Sequence, residues 1–207
     1  ASGYGAGTTL AQSGDFVNMG TVALGTIDFR DPTNPDNVDN STDGVTAAAV
    51  IYKGIDGLTL QAWDYYAHDI FNAIYLQGDY RWPCRFNENV QMNASAQYIG
   101  QSDVGGSLAG NVDSDYWGVK LGASSGPLST YVAYSQTAKS DGTTSGGIIT
   151  PWGGMPAFTQ GMVTRHQFFS DTDSWKIAGT YKLNELIGAD VKASVFYTEF
   201  DIGATNS

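Results

Sequence analysis

The residues that could bind a metal or carry out catalysis are few in this chain of 207 residues. Asp39, Ser41 and Asp43 have the spacing that opens a calcium-binding loop, but Val50 stands where such a loop places a bidentate glutamate. We therefore interpret this stretch as a turn, with a weak calcium site as the alternative. The two histidines lie far apart in the sequence and lack the spacing of zinc ligands. The sequence thus predicts no enzymatic activity and no cofactor other than a possible Ca²⁺ ion.

The composition indicates an all-β protein. The chain contains 26 Gly, 12 Tyr and 5 Trp, and only 15% of its residues are charged. It favours Gly, Thr, Ser, Val and Tyr where a helical bundle would need Leu, Glu and Lys. No run of about 18 apolar residues is present that could form a membrane-spanning helix. The formal net charge of −11 argues against nucleic acid as a partner.

Apolar and polar residues alternate along most of the chain, as in β-strands with one apolar face. In the segment 72–82, for example, one face carries Ile74 and Leu76 and the other carries Gln77 and Asp79. Several of these segments approach the roughly 9–11 residues that cross a bilayer at a tilt. The alternation predicts about nine strands, at 17–29, 45–54, 58–67, 72–82, 89–100, 116–123, 127–138, 174–183 and 190–201.

Alternation alone does not distinguish a membrane barrel from a soluble β-sandwich, whose apolar face is turned inward. Aromatic residues at the ends of the apolar stripes favour the barrel, because such residues form girdles at the two membrane interfaces. The residues between them are often Ala and Gly, which suffice against lipid but fill a soluble core poorly. The aromatic residues are Tyr80, Trp82, Tyr98, Trp117, Trp175 and Tyr181.

The connections between the predicted strands alternate in length, which is typical of outer-membrane barrels. We therefore predict an all-β fold, a transmembrane antiparallel β-barrel in a bacterial outer membrane. A soluble secreted β-sandwich that binds carbohydrate and a barrel-anchored surface adhesin are the alternatives. The long segments are 30–44, 101–113 and 139–173, and the short ones are 55–57, 83–85, 124–127 and 184–189, with the brief link 68–71 as an exception.

Nine strands are too few to close a barrel with a water-filled interior. Each unpaired backbone group in hydrocarbon costs several kcal/mol, so an open sheet edge cannot face lipid. We expect a whole barrel of roughly 16–18 strands. Residues 1–207 would then be a single barrel segment of a longer protein whose signal peptide has been removed.

If the apolar stripes face lipid, the opposite residues line a channel for small hydrophilic solutes and ions. Acidic residues such as Asp113, Asp115, Asp171 and Asp173 are expected in loops at the mouth, where they would concentrate cations. Cation preference is therefore a hypothesis, and the alternative is that these acids bind divalent ions that bridge lipopolysaccharide. The predicted pore-lining residues are Gln61, Gln77, Asp79, Arg81, Gln91, Asn93, Gln97, Lys120, Lys176, Lys182 and Lys192.

The segment 139–173 is too long for a hairpin turn, and its prolines and glycines oppose regular sheet. Trp152, Met155, Phe158 and Met162 supply enough apolar surface to pack it. Long loops with their own packing tend to be functional. In a channel, the expected role is to fold into the interior and form a constriction.

The sequence TPWGGMPAFTQGMVTRHQF, followed by DTDSWKIAGTYKL, resembles the major outer-membrane porins of Campylobacter and its relatives and, more distantly, the OprD-type porins. The resemblance implies an 18-stranded barrel, commonly a homotrimer, that carries small solutes and cations. On this view Arg165, His166 and Gln160 are the constriction residues. Arg165 would carry a fixed positive charge and His166 could titrate near neutrality. The alternative is that Arg165 and His166 only hydrogen-bond to backbone carbonyls of the loop.

Overall fold

The computed structural model describes residues 45–107, 110–139, 147–149, 155–162, 164–184 and 188–203. The predicted strand at 17–29 and the calcium candidates Asp39, Ser41 and Asp43 lie outside these residues. The described residues include one short 3-10 helix, η1 (His166–Phe168). They form eight strands: β1 (Val45–Ile55), β2 (Leu58–Ala67), β3 (Phe71–Cys84), β4 (Asn87–Asp103), β5 (Asp113–Ser125), β6 (Leu128–Thr137), β7 (Thr172–Lys182) and β8 (Lys192–Ile202).

All eight described strands belong to one antiparallel sheet, and each pairs with the next strand in the chain. The all-β antiparallel fold is therefore confirmed. A β-sandwich needs two sheets packed face to face, and the described strands form a single one. No helix in the described part of the chain is long and apolar enough to cross a membrane.

The connections between strands alternate in length as predicted. Short turns join β1 to β2, β3 to β4, and β5 to β6 at one end of the sheet, which we call the turn end. The longer connections 104–112 and 138–171 begin and end at the opposite end of the sheet, the loop end. The brief link after β2 also lies there. It bends at Asp69, whose φ is 61°, and the Asp69 carboxylate accepts a hydrogen bond from the Gly106 backbone of the neighbouring loop at 3.0 Å.

Several strand boundaries differ from the prediction. β4 runs from Asn87 to Asp103, so it is longer at both ends than the predicted 89–100. β3 continues through Pro83 and Cys84, and the turn lies at residues 85–86 instead of 83–85. The register shifts between Pro83 and Cys84, and such an irregularity lets a proline remain in a strand.

The two faces of the sheet differ in chemistry and in packing. The face that carries Leu76, Val119 and Ile177, here called the outer face, leaves these side chains 42%, 45% and 49% exposed. The opposite face, here called the inner face, carries Gln97 and Lys176, which are 4% and 9% exposed. The described residues of the loop-end connection at 147–149, 155–162 and 164–168 pack against the inner face and cover part of it, and we call them the docked segment.

The hydrophobic core lies between the inner face and the docked segment. Ile99 of β4 and Tyr116 of β5 are fully buried there, together with Phe168 of η1. Tyr116 and Phe168 make an edge-to-face ring contact with centroids 5.1 Å apart. Ile148 and Met155 complete this core from the docked segment. Because apolar side chains hold it, the docked segment is part of the folded structure and not a free loop.

Candidate functional site

The predicted pore-lining residues share the inner face. In the strand register Gln61 pairs with Gln77, and Gln77 pairs with Gln97. Further towards the turn end, Asp79 pairs with Ser95 and Ser95 with Lys120. Because side chains alternate between the two faces of a strand, every second residue before and after these pairs also lies on the inner face. The remaining members on this face are Arg81, Gln91, Asn93, Lys176, Lys182 and Lys192.

Two glutamines of β4 connect the inner face to the docked segment. Gln97 donates from Nε2 to the Pro156 carbonyl at 2.7 Å and accepts from the Phe158 backbone N–H at 3.0 Å. Gln101 donates to the Ile149 carbonyl at 2.7 Å and accepts from the backbone N–H of the same residue at 2.7 Å. Each amide therefore satisfies one donor and one acceptor of the loop backbone.

Two lysines of the inner face contact the tip of the docked segment. Lys120 Nζ lies 4.4 Å from the centroid of the Phe158 ring, within the range of a cation–π interaction. Lys176 Nζ donates to the Gln160 carbonyl at 2.6 Å and lies 4.3 Å from the centroid of the Phe196 ring. Both charges are thus partly covered by the loop and by aromatic rings.

Hydroxyl groups of β5 and β6 add three further contacts. Ser135 Oγ and Thr159 Oγ1 are 2.6 Å apart, and both residues are fully buried. Thr137 Oγ1 donates to the Gln167 carbonyl at 2.5 Å, and Ser114 Oγ donates to the Gly147 carbonyl at 3.0 Å. The docked segment is therefore held along its described length by inner-face side chains of the sheet, which we call the wall.

The three predicted constriction residues have different partners. Gln160 is next to Lys176 through its carbonyl oxygen. Arg165 precedes η1, and its carbonyl accepts from the Phe168 backbone N–H at 3.0 Å. His166 packs edge-on against Phe169 and Phe200, with ring centroids 5.1 and 5.5 Å away. His166 thus lies near the loop end of β8, while Gln160 lies beside β7.

Asp79 is an acidic residue of the inner face that is held by hydrogen bonds. Gln77 Nε2 donates to its Oδ2 and Ser95 Oγ to its Oδ1, both at 2.6 Å. The Tyr75 hydroxyl donates in turn to Gln77. This chain of polar groups fixes the carboxylate on the inner face in the same row as Lys120, with Ser95 between them in the register.

A second set of acidic residues lies on the outer face, near the loop end, and is hydrogen-bonded to aromatic side chains. The Tyr98 hydroxyl donates to Asp115. Tyr134 donates to Asp173 at 2.5 Å, and Trp175 Nε1 donates to Glu199 at 3.2 Å. The prediction that placed Asp113, Asp115 and Asp173 in loops is wrong, because these residues belong to β5 and β7. Asp171 lies in the loop-end connection, directly before β7.

The sequence of the chain matches a known family. Residues 24–204 match the family described as outer membrane porin, OprD family. The chain belongs to the OprD family of outer-membrane porins. No curated protein sequence matches the chain significantly.

Solved structures share the fold of this OprD-family chain. OccK5 (OpdH) of Pseudomonas aeruginosa aligns with a TM-score of 0.67 and 16% identity over 81% of this chain and 44% of its own. OprD of the same organism aligns with a TM-score of 0.65 and 13% identity over 80% of this chain and 43% of its own. OccAB4 of Acinetobacter baumannii aligns with a TM-score of 0.65 and 18% identity over 80% and 40%. The chain thus spans less than half the length of these porins.

Membership of this family places the protein in the bacterial outer membrane, as predicted. In such barrels the apolar band faces lipid and aromatic residues lie at the interfaces. The outer face of β7, where Ile177 lies between Trp175 and Tyr181, has this arrangement. Tyr98, Tyr134 and Trp175 then form the girdle at the loop end, with hydrogen-bonded carboxylates beside them.

Part of the site does not follow from the sequence. The alternation predicts that Gln97 lines the pore but not that it binds the loop, and it assigns no role to Gln101 or Ser135. The sequence does show that these polar residues occupy inward positions. That is a weak indication of loop binding, because any polar inner face has such residues. The partners of these residues come from a segment distant in sequence, which period-2 alternation does not position.

Proposed function

We propose that this chain forms part of the wall and the constriction of a passive channel for small hydrophilic solutes and ions. The observation that carries the proposal is the asymmetry of one sheet, which has an exposed apolar outer face and a polar inner face partly covered by the docked segment. Such a sheet, completed to a closed barrel, encloses a polar lumen. Passage through it needs no catalytic step and no cofactor.

The test is electrical. The full-length protein, reconstituted in a planar lipid bilayer, is expected to produce stepwise increases in conductance in simple salt. The alternative, a barrel that only holds adhesive surface loops, predicts a closed lumen and no steps. A protein that inserts and stays folded in detergent but never conducts would overturn the channel.

The docked segment is the proposed constriction, with Arg165, His166 and Gln160 as its predicted residues. Its support is the set of contacts from β4, β6 and β7, which place the segment on the inner face. If Arg165 lines the constriction, Arg165→Ala should raise the permeability to organic cations. Unchanged permeation of all solutes would exclude it from the narrow part of the channel.

Cation preference is the more specific part of the proposal. It is supported by the net charge of −11 and by the contacts that two inner-face lysines make with the docked segment. Lys120 lies over Phe158, and Lys176 binds the Gln160 carbonyl, so their charges are partly taken up by the loop. The reversal potential across a potassium chloride gradient tests this preference, and a value that favours chloride would overturn it.

We further propose assembly into a homotrimer, as the resemblance to Campylobacter porins implies, and contact with lipopolysaccharide through divalent ions bound by acidic residues. The motif at 150–168 and 171–183 supports the closer kinship to those porins. Chemical cross-linking of the purified protein in detergent should yield a band of three chains. Binding of the folded protein to lipopolysaccharide that falls on removal of divalent ions would support the lipid contact.

A further inference from the structure

We propose that Gln97 and Gln101 are positioning residues that hold the docked segment against the wall and thereby set the width of the channel. The claim about channel width rests on the proposed function. The claim that these two side chains hold the segment in place does not, and it can be tested in a protein that carries no current.

The two amides act as substitutes for a neighbouring strand. Each one donates to a loop carbonyl and accepts from a loop N–H, which is the pairing that one backbone peptide group offers another across a sheet. Gln97 engages Pro156 and Phe158, and Gln101 engages both backbone groups of Ile149. The wall therefore binds the segment at two separate points through backbone groups.

The surroundings make these hydrogen bonds hard to replace. Gln97 and Gln101 are each only 4% exposed, and Ile99, which lies between them on the inner face, is fully buried. Water cannot easily take the place of a lost amide at such a site, so the freed N–H groups of Ile149 and Phe158 would remain unpaired. An undocked segment regains water for these groups. Removing either glutamine should therefore favour the undocked state.

A competing explanation is that the hydrophobic core alone holds the segment and the glutamines only satisfy its backbone. The two explanations differ in what happens when an amide is replaced by an apolar side chain of similar size. If the core alone holds the segment, Gln97→Leu should leave it docked. If the amides position it, the segment should be released more often while the barrel stays intact.

Thr159 provides a direct measure of docking. It belongs to the docked segment and is fully buried against Ser135 of β6, so a cysteine at this position should react with a bulky maleimide only when the segment leaves the sheet. The measurement uses the full-length protein in detergent with Thr159→Cys and with every other cysteine, Cys84 among them, replaced by serine. Heat-modifiable migration on a gel reports that the barrel is folded in every variant.

We expect Gln97→Leu and Gln101→Leu each to accelerate labelling roughly 30-fold, since each removes two net hydrogen bonds. Gln97→Glu, which keeps the shape and the acceptor but cannot donate to Pro156 when ionised, should accelerate labelling as well. The matched control is Gln91→Leu, an exposed position on the same face of the same strand. Labelling of Gln97→Leu at the rate of the Gln91→Leu control would overturn the proposal.

A disulfide tests the link to channel width. Ser135 Oγ and Thr159 Oγ1 are 2.6 Å apart, so Ser135→Cys with Thr159→Cys is within reach of an S–S bond. In the Gln97→Leu background we expect a higher and noisier conductance in the reduced protein and wild-type conductance after oxidation. If labelling accelerates but conductance is unchanged in both states, the claim about width is overturned and the positioning role stands. If the wild-type protein does not conduct, the channel itself fails and the labelling result is unaffected.

Discussion

Lys176 of β7 donates a hydrogen bond from Nζ to the carbonyl oxygen of Gln160, 2.6 Å away, and so joins the wall to the tip of the docked segment. Its side chain is only 9% exposed and also lies over the Phe196 ring. A lysine predicted from alternation to line a wet channel is therefore partly withdrawn from that channel. Its ammonium group binds the loop backbone and is therefore less available to solutes in the lumen.

Replacing this lysine should loosen the loop. Lys176→Met keeps much of the aliphatic chain but leaves the Gln160 carbonyl without its donor, a loss of about 1–3 kcal/mol for a charged hydrogen bond. We expect faster proteolysis within 139–173 and a noisier open state. Lys182→Met is the control, since Lys182 lies on the same face of the same strand and is exposed. Equal behaviour of the two variants would contradict the role of Lys176.

Ion selectivity should depend on Asp79 and not on Asp173. Asp79 lies on the inner face in the same row as Lys120, whereas Asp173 lies on the outer face and accepts a hydrogen bond from Tyr134. We expect Asp79→Asn to shift the reversal potential in a salt gradient towards anions. Asp173→Asn should leave that potential unchanged, because a charge outside the wall is separated from the lumen by the sheet. The opposite result would show that the faces have been assigned the wrong way round.

The sidedness of the sheet can be tested at two adjacent positions of β8. Val195 is on the outer face and 75% exposed, and Ser194 is on the inner face. Arginine on the lipid face near the middle of the bilayer costs about 2–4 kcal/mol, and arginine in the lumen costs much less. Val195→Arg should therefore reduce the folded fraction in lipid vesicles, measured by gel migration, far more than Ser194→Arg. Equal losses would contradict a lipid-facing outer surface.

Weakening the core beneath the docked segment should release the segment without unfolding the barrel. Ile99 is fully buried between β4 and the segment, and Ile99→Ala would leave a cavity that costs about 2–4 kcal/mol. We expect this variant to release the segment, seen as faster proteolysis within 139–173, while heat-modifiable migration persists. Leu121→Ala on the exposed outer face is the comparison and should leave proteolysis unchanged. Loss of the folded band in Ile99→Ala would mean that loop and wall unfold together.

Most strands of the sheet could be predicted from the sequence, because the alternation of apolar and polar residues is a local pattern. The alternation around Leu76 and Gln77 assigns each residue to a face, and one polar face and one apolar face fix which side meets lipid. Strand ends were less accurate. Asp103 extends β4, where its carboxylate accepts from Ser107 Oγ and from the Val112 N–H. Asp173 falls inside β7, where it accepts from the Tyr134 hydroxyl.

The strands, their two faces and the alternation of turn and loop lengths follow from local sequence, since each depends on neighbours a few residues apart. The position of the docked segment and the contacts that hold it arise only when distant parts of the chain pack together. The pairing of Gln97 with Phe158 and of Lys176 with Gln160 joins groups that no short period relates. Closing such long loops costs conformational entropy, which many weak contacts must offset together. For that reason no single residue in the sequence indicates where the docked segment binds.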